Sequence, residues 1–244
     1  MKNIKMSKIN LKNILKKTFN KKSKKNTKKV IKKKFTQVKK VKKITSKKSR
    51  KNNKKTPNTK SIKPQPKKVD DLCSIFYGET DWYKSAKKSE KRWGTPIHVT
   101  MAIMKQESTF RAKVRPKRPT FFFIPLPRKS SAYGYAQAQN PAWNDYRKDT
   151  GNWSHDRDDF GDAINFIGWY TNKSSKRLGI SKWDAYKQYL AYHEGWGGYS
   201  RGSFKKKPNL IKVAAKVKRQ TEMYGAQLKG CKNKLNQATK GWFW

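Results

Sequence analysis

No acidic residue occurs before Asp70, and 29 of the first 69 residues are Lys or Arg. This one-sided run constrains the fold more than any other feature. Like charges at that density repel, and scattered Ile and Val with only two Phe bury too little apolar surface to offset the entropy of ordering. Residues 1–69 are therefore expected to form a disordered Lys-rich tail and linker that closes with Pro64 and Pro66. The rest of the chain carries 33 basic and 15 acidic residues, or +18 of the formal +47. It also holds all nine Trp, all eleven Tyr and nine of the eleven Phe. A single globule of 244 residues is excluded, whereas one domain of about 160 residues with its own core is allowed.

Charge and hydropathy limit the function classes. No apolar run approaches the roughly 20 residues of a membrane span, and lysines interrupt every stretch that could serve as the apolar part of an export signal. The longest apolar stretch, Phe121–Leu126, is broken by Pro125 and flanked by Arg118 and Arg128. It reads either as a proline-rich loop packed on the domain or as a loop that touches a membrane. A tail of charge +29 suits an anionic surface or nucleic acid, through counterion release. Its near lack of aromatics argues against stacking on single strands. Two cysteines, Cys73 and Cys231, sit near the two ends of the aromatic-rich region. Their count fits free thiols or a pair, and their placement favours a staple.

Helical periodicity dominates that region. Asp81–Trp93 reads as a helix, and Thr95-Pro96 as a cap followed by a first-turn proline. Ile97, Met101 and Met104 then mark a buried face that leads to Glu107. Lys113–Lys129, with four prolines, is an irregular excursion. Asp158 and Asp159 offer a cap for a helix carrying Phe160, Ile164, Ile167 and Tyr170. Ser181 and Asp184 resemble a capping box. Leu210, Val213, Val217, Tyr224 and Leu228 mark a last amphipathic helix ending near Gly230-Cys231. The expected domain spans residues 70–232, with a C-terminal extension over 233–244, and is mostly α.

Three clusters carry chemistry. Glu107 lies at a helix C-terminus among apolar neighbours. The helix dipole and desolvation both disfavour its ionised form, which suits a general acid. Ser130–Gln137 combines small residues, Tyr133, Gly134, Tyr135 and Gln137, a composition that suits a sugar groove. In Tyr189–Tyr199 a helix runs into a glycine-rich aromatic turn that contains His193 and Glu194. No HExxH, paired CxxC or phosphate-binding loop occurs.

Together these clusters resemble the lytic transglycosylase domain of the soluble type, in the lysozyme-like superfamily. Glu107-Ser108 followed by Phe110 is similar to the family's Glu-Ser helix end. Gly134-Tyr135-Ala136-Gln137 is similar to its Gly-Leu-Met-Gln segment, and Ala191-Tyr192-His193 before Gly195 to its Ala-Tyr-Asn segment. Asp158-Asp159 through Tyr170 resembles the intervening helix start. The likeness spans roughly residues 71–231. The runs SSAYGYAQA and LAYHEGWGGYSRGS resemble more closely a bacterial lipoprotein-like subgroup, in which one Cys opens and another closes the domain, as Cys73 and Cys231 would. Tyr135-Ala136 and His193 depart from the family pattern.

The resemblance implies a lysozyme-like fold acting as a monomer on peptidoglycan glycan strands in the periplasm or cell envelope, without metal or cofactor. Glu107 would be the single catalytic acid/base. Ser108, Ser131, Tyr133, Gly134, Tyr135, Gln137, Tyr192, His193 and Glu194 would bind or orient substrate. The product would be 1,6-anhydromuramic acid. A hydrolytic muramidase with Glu194 or Asp159 as second carboxylate, and a basic binding protein with an inactive domain, are the alternatives.

Overall fold

The computed structural model describes residues 64–240. The expected disorder of the tail therefore falls almost wholly outside the described residues. Seven α-helices are present among those described: α1 Leu72–Gly78, α2 Thr80–Trp93, α3 Ile97–Ser108, α4 Asn140–Thr150, α5 Phe160–Leu178, α6 Ala185–Ser200 and α7 Pro208–Lys240. A 3-10 turn, Ser203–Lys206, precedes α7. One antiparallel hairpin joins β1 Thr120–Phe121 to β2 Ile124–Pro125, with Phe121 opposite Ile124. The domain is mostly α, as the periodicity implies.

The core follows from which helices are apolar and on how many sides. In α3, Ile97, Val99, Thr100, Met101, Ala102, Ile103, Met104 and Ser108 are all buried. A helix apolar around most of its circumference has to be enclosed, and α3 packs against α2, α5, α6 and α7. It is thus the central helix, more deeply buried than the single stripe Ile97, Met101 and Met104 suggests. Around it lies an aromatic layer. Trp82 stacks on Phe160 with ring centroids 4.1 Å apart and planes 2° from parallel, and Tyr135 meets both edge-on. Aromatic pairs in these geometries contribute about 0.5–1.5 kcal/mol beyond area burial.

Local signals hold at some helix ends and fail at others. Asp159 caps α5 by accepting from the Asp162 amide at 3.0 Å. Thr95 does not cap α3; its hydroxyl pairs with Thr171 in the interior, and the Glu90 carboxylate accepts from the Ile97 amide at 3.1 Å instead. Ser181 is not the cap of α6. Asp184 takes that place, accepting from the Lys187 amide at 3.0 Å, while Ser181 accepts from the Trp183 amide. The last helix does not end near Gly230. Residues 233–240, expected in a separate extension, continue α7, with Leu235 fully buried and Asn236 accepting from the Tyr83 hydroxyl at 2.9 Å. Helix α4 escapes the periodicity reading because Trp143 and Tyr146 are its only buried residues.

The beginning and end of the domain meet on α7. Cys73 and Cys231 form a disulfide with Cα atoms 6.1 Å apart. Gln227 accepts from the Leu72 amide and donates to the Asp70 carbonyl, and the Tyr224 hydroxyl donates to the Val69 carbonyl. Residues 64–69, grouped with the tail on composition, are therefore tied to the domain. Gln65 also donates to the Thr109 carbonyl at 2.9 Å.

Candidate active site

Glu107 occupies the last turn of α3, and the chain reverses directly after it. Thr109 and Phe110 have φ of 52° and 57°, two successive non-glycine residues in the left-handed region. Each such conformation costs of order 1–2 kcal/mol. Complete burial of the Phe110 ring, packed against Trp82, offsets that cost. The reversal stops α3 immediately beyond the carboxylate and fixes its position.

Burial leads the electrostatics of Glu107. It pushes the carboxyl up to about 7, and the Tyr189 hydroxyl, which donates to it, pulls in the other direction. Tyr189 and Tyr192 are both raised above the ordinary phenol range, by burial first and then by the Glu107 charge. Both hydroxyls therefore stay protonated as donors. The Tyr192 hydroxyl donates to the Ala136 carbonyl at 2.6 Å, linking α6 to the Ser130–Gln137 segment. Tyr189 and Tyr192 lie three residues apart on one face of α6. Tyr189 opens the third sequence cluster but is not among the residues expected to meet substrate. Its i, i+3 relation to Tyr192 is the signal that could have placed it at the site.

The Ser130–Gln137 segment is a tight double turn. Gly134 has φ of 80°, and a Cβ there would lie 1.9 Å from the Arg157 carbonyl oxygen, so only glycine fits. The Gly134 amide donates to the Val114 carbonyl and the Tyr135 amide to the Arg157 carbonyl, each at 3.0 Å. Arg157 in turn donates to the carbonyls of Ser131 and Ala138. Several residues expected to meet substrate are spent on holding this turn. Tyr135 does not line a groove: its ring is 2% exposed and enclosed by Trp82 and Phe160. The Gln137 amide folds back onto the carbonyls of Val114 and Gly134, and the Ser131 hydroxyl accepts from the Asn140 amide at the start of α4. The buried Ser108 hydroxyl donates to the Met104 carbonyl. Tyr133 remains partly exposed, donating to Asp158 at 2.8 Å beneath the Arg115 guanidinium.

The third cluster divides at Gly195, whose φ of 72° breaks α6 in mid-course. His193 is half-exposed and lines a cavity of about 570 Å³ together with Gln106, Tyr189 and Lys207. The Glu194 side chain is 3% exposed and ion-paired to Lys207 at 2.8 Å. It also accepts from the Ser203 hydroxyl and lies 3.1 Å from His193 Nδ1. Burial alone would raise its pKa, but these partners outweigh burial and hold the carboxyl down at about 2. Glu194 is thus an ionised structural anchor, and Asp159 is the α5 cap. Among the described residues no cluster of three or more His, Cys, Asp or Glu could hold a metal ion.

The arrangement therefore presents one protonatable carboxyl, held by a tyrosine and poised near neutrality, beside a glycine-dependent turn. Residues 58–231, more than half of the chain, match a family model described as a transglycosylase SLT domain. No curated protein matches the chain. With its Glu-Ser helix end, its glycine turn and its Ala-Tyr segment in the order of the family's motifs, the chain belongs to the transglycosylase SLT domain family of the lysozyme-like superfamily.

Proposed function

We propose that the protein is a peptidoglycan lytic transglycosylase. It would cleave the β-1,4 bond between N-acetylmuramic acid and N-acetylglucosamine and leave a 1,6-anhydromuramoyl end. The observation that carries this reading is the state of Glu107, a carboxyl at the buried end of α3 raised to about 7 by burial and hydrogen-bonded by Tyr189. Such a group is protonated when it meets substrate and becomes a competent base once it has given up its proton. Both roles are needed where a single carboxylate serves a glycosidic bond.

The reaction runs in two proton movements. Glu107 donates its proton to the glycosidic oxygen as the bond to the muramoyl C1 breaks, and the glucosamine unit leaves with that proton. The resulting carboxylate accepts the proton of the muramoyl C6 hydroxyl as that oxygen bonds to C1. No water is consumed. The C6 hydroxyl competes with water because it is held on the same ring at high effective concentration.

Tyr189 keeps the carboxyl oriented through both steps, since its own proton is not lost. Tyr192 supports the turn by its bond to Ala136, and Tyr133 and His193 are the partly exposed groups available to substrate. Two-carboxylate hydrolysis is less well supported, because Glu194 is committed to Lys207 and Asp159 to the Asp162 amide of α5.

Mass spectrometry of peptidoglycan digested with the full chain tests the proposal. Anhydromuropeptides are the expected product. Reducing-end muramic acid would overturn the transglycosylase reading in favour of hydrolysis. The site of action would be glycan strands of the cell envelope, with the protein as a monomer. None of the described helices is long and apolar enough to cross a membrane.

A further inference from the structure

The tip of the hairpin β1–β2 reaches into solvent. Its two central residues, Phe122 and Phe123, are 80% and 97% exposed, and Leu126 is exposed beside them. Both phenylalanines have positive φ, 44° and 66°. A two-residue hairpin loop with both central φ positive is the place for Asn-Gly or Gly-Gly, and a bulky side chain there is strained. Two large apolar rings thus sit in water, in a conformation that disfavours them. Exposure this high leaves most of both rings available to a partner outside the domain.

The support beneath the tip is firm. The Leu126 amide donates to the Pro119 carbonyl at 2.9 Å, and Arg128 Nε donates to the Pro116 carbonyl at 3.0 Å. Below them, the Gly134 amide donates to the Val114 carbonyl and closes the base of the excursion. Four prolines limit φ along the two strands and their flanks. The rings are therefore presented on a braced stalk.

Charge specifies the partner. Between Glu107 and Asp145 the sequence holds seven basic residues and no acidic one. Lys113, Lys117, Arg118 and Lys129 are exposed around the stalk. An apolar tip within a collar of cations matches a surface that is apolar inside and anionic at its rim.

We infer that the Phe122–Phe123 hairpin tip inserts into the interface of a bilayer containing anionic phospholipid, with the surrounding Lys and Arg side chains on its headgroups. This holds independently of the reaction at Glu107. It gives the excursion between α3 and the Gly134 turn a task outside the catalytic motifs.

The test is sedimentation of the full chain with vesicles of phosphatidylcholine containing 30% phosphatidylglycerol and with vesicles of phosphatidylcholine alone. The substitutions Phe122→Asn and Phe123→Gly are made together, because these residues suit the turn and leave the fold intact, which thermal unfolding checks. Residues 1–69 are the same in both proteins, so any difference belongs to the tip. Removing two rings of apolar surface should weaken partition into the anionic vesicles by roughly tenfold or more. Phe122→Leu with Phe123→Leu should keep it within about threefold, because apolar insertion does not require aromatic rings. Neutralising Lys117, Arg118 and Lys129 to Gln should lower binding to the anionic vesicles only. Equal binding of the Asn-Gly protein and the native one would overturn the inference. So would a loss of binding to purified peptidoglycan sacculi with vesicle binding unchanged, which would make the tip a wall contact.

Discussion

Glu107 and Glu194 are the same residue type, each near the point where a helix is interrupted, each largely withdrawn from water, and their carboxyls are driven in opposite directions. Glu107 rises to about 7 and Glu194 falls to about 2. Burial pushes both upward. The difference is in their partners: the Tyr189 phenol donates to Glu107 and Tyr192 lies close enough to feel its charge, whereas an ammonium, a hydroxyl and an imidazole meet Glu194. Desolvation without a countercharge makes an acid, whereas desolvation with one makes an anchor. The fold thus holds a readily protonated and a firmly ionised carboxylate within one small domain.

The largest effect expected from breaking this contrast is on turnover. Glu107→Gln keeps shape and burial and removes the proton, and should lower cleavage by at least about 10²- to 10⁴-fold, with the helical circular dichroism unchanged. Retained activity would remove Glu107 from the chemistry.

The second effect is on stability and has opposite signs at the two sites. Glu107 has a folded pKa above its usual 4.5, so its contribution is fully present below about 4.5 and is lost as pH rises through about 7. The loss is on the order of 3 kcal/mol. Glu194 has a lowered folded pKa, so its contribution is complete above about 4.5 and is lost as pH falls through about 2. Denaturant unfolding from pH 5 to pH 8 should show the native protein weakening and the Glu107→Gln protein weakening less. Parallel curves would contradict the raised pKa.

Third in size, Lys207→Ala removes the main countercharge of Glu194. Lys207 is half-exposed, so the cost is discounted to about 1–2 kcal/mol. A fall in Tm of a few degrees, with anhydro product formation preserved at lower temperature, is the expected pair of readings. The smallest effect should come from Tyr189→Phe. Loss of the donor raises Glu107 further, so the alkaline limb of the pH–rate profile, where activity falls as pH rises through about 7, should move upward. A downward move would mean that the hydroxyl does not stabilise the carboxylate.

The contrast also marks what the sequence could disclose. The apolar helix leading to Glu107 was legible from its spacing, whereas the choice of Glu107 as acid came from the resemblance of Glu107-Ser108 to a family motif; the glycine turn was legible because Gly134 is demanded locally. Residues whose facing depends on tertiary partners were not. Tyr135 and Gln137 belong to the right motif but turn inward, toward Trp82 and the Val114 carbonyl. Glu194 looked as reactive as any acid until Lys207, 13 positions away, was placed beside it. Gly230 suggested a helix end because glycine costs a helix about 1 kcal/mol. Burial of Cys231 and Leu235 outweighs that local preference.

The Cys73–Cys231 bond, 158 positions apart in sequence, carries a consequence for how the domain comes into being. Its first helix, α1, rests on α7, its last. A ribosome releases Leu72 long before it makes the surface on which Leu72 is seated, so α1 waits through nearly the whole synthesis of the domain for its neighbour. The Cys231 partner exists only once most of α7 has been made, so a chain cut short of Cys231 lacks the bond that ties α1 to α7.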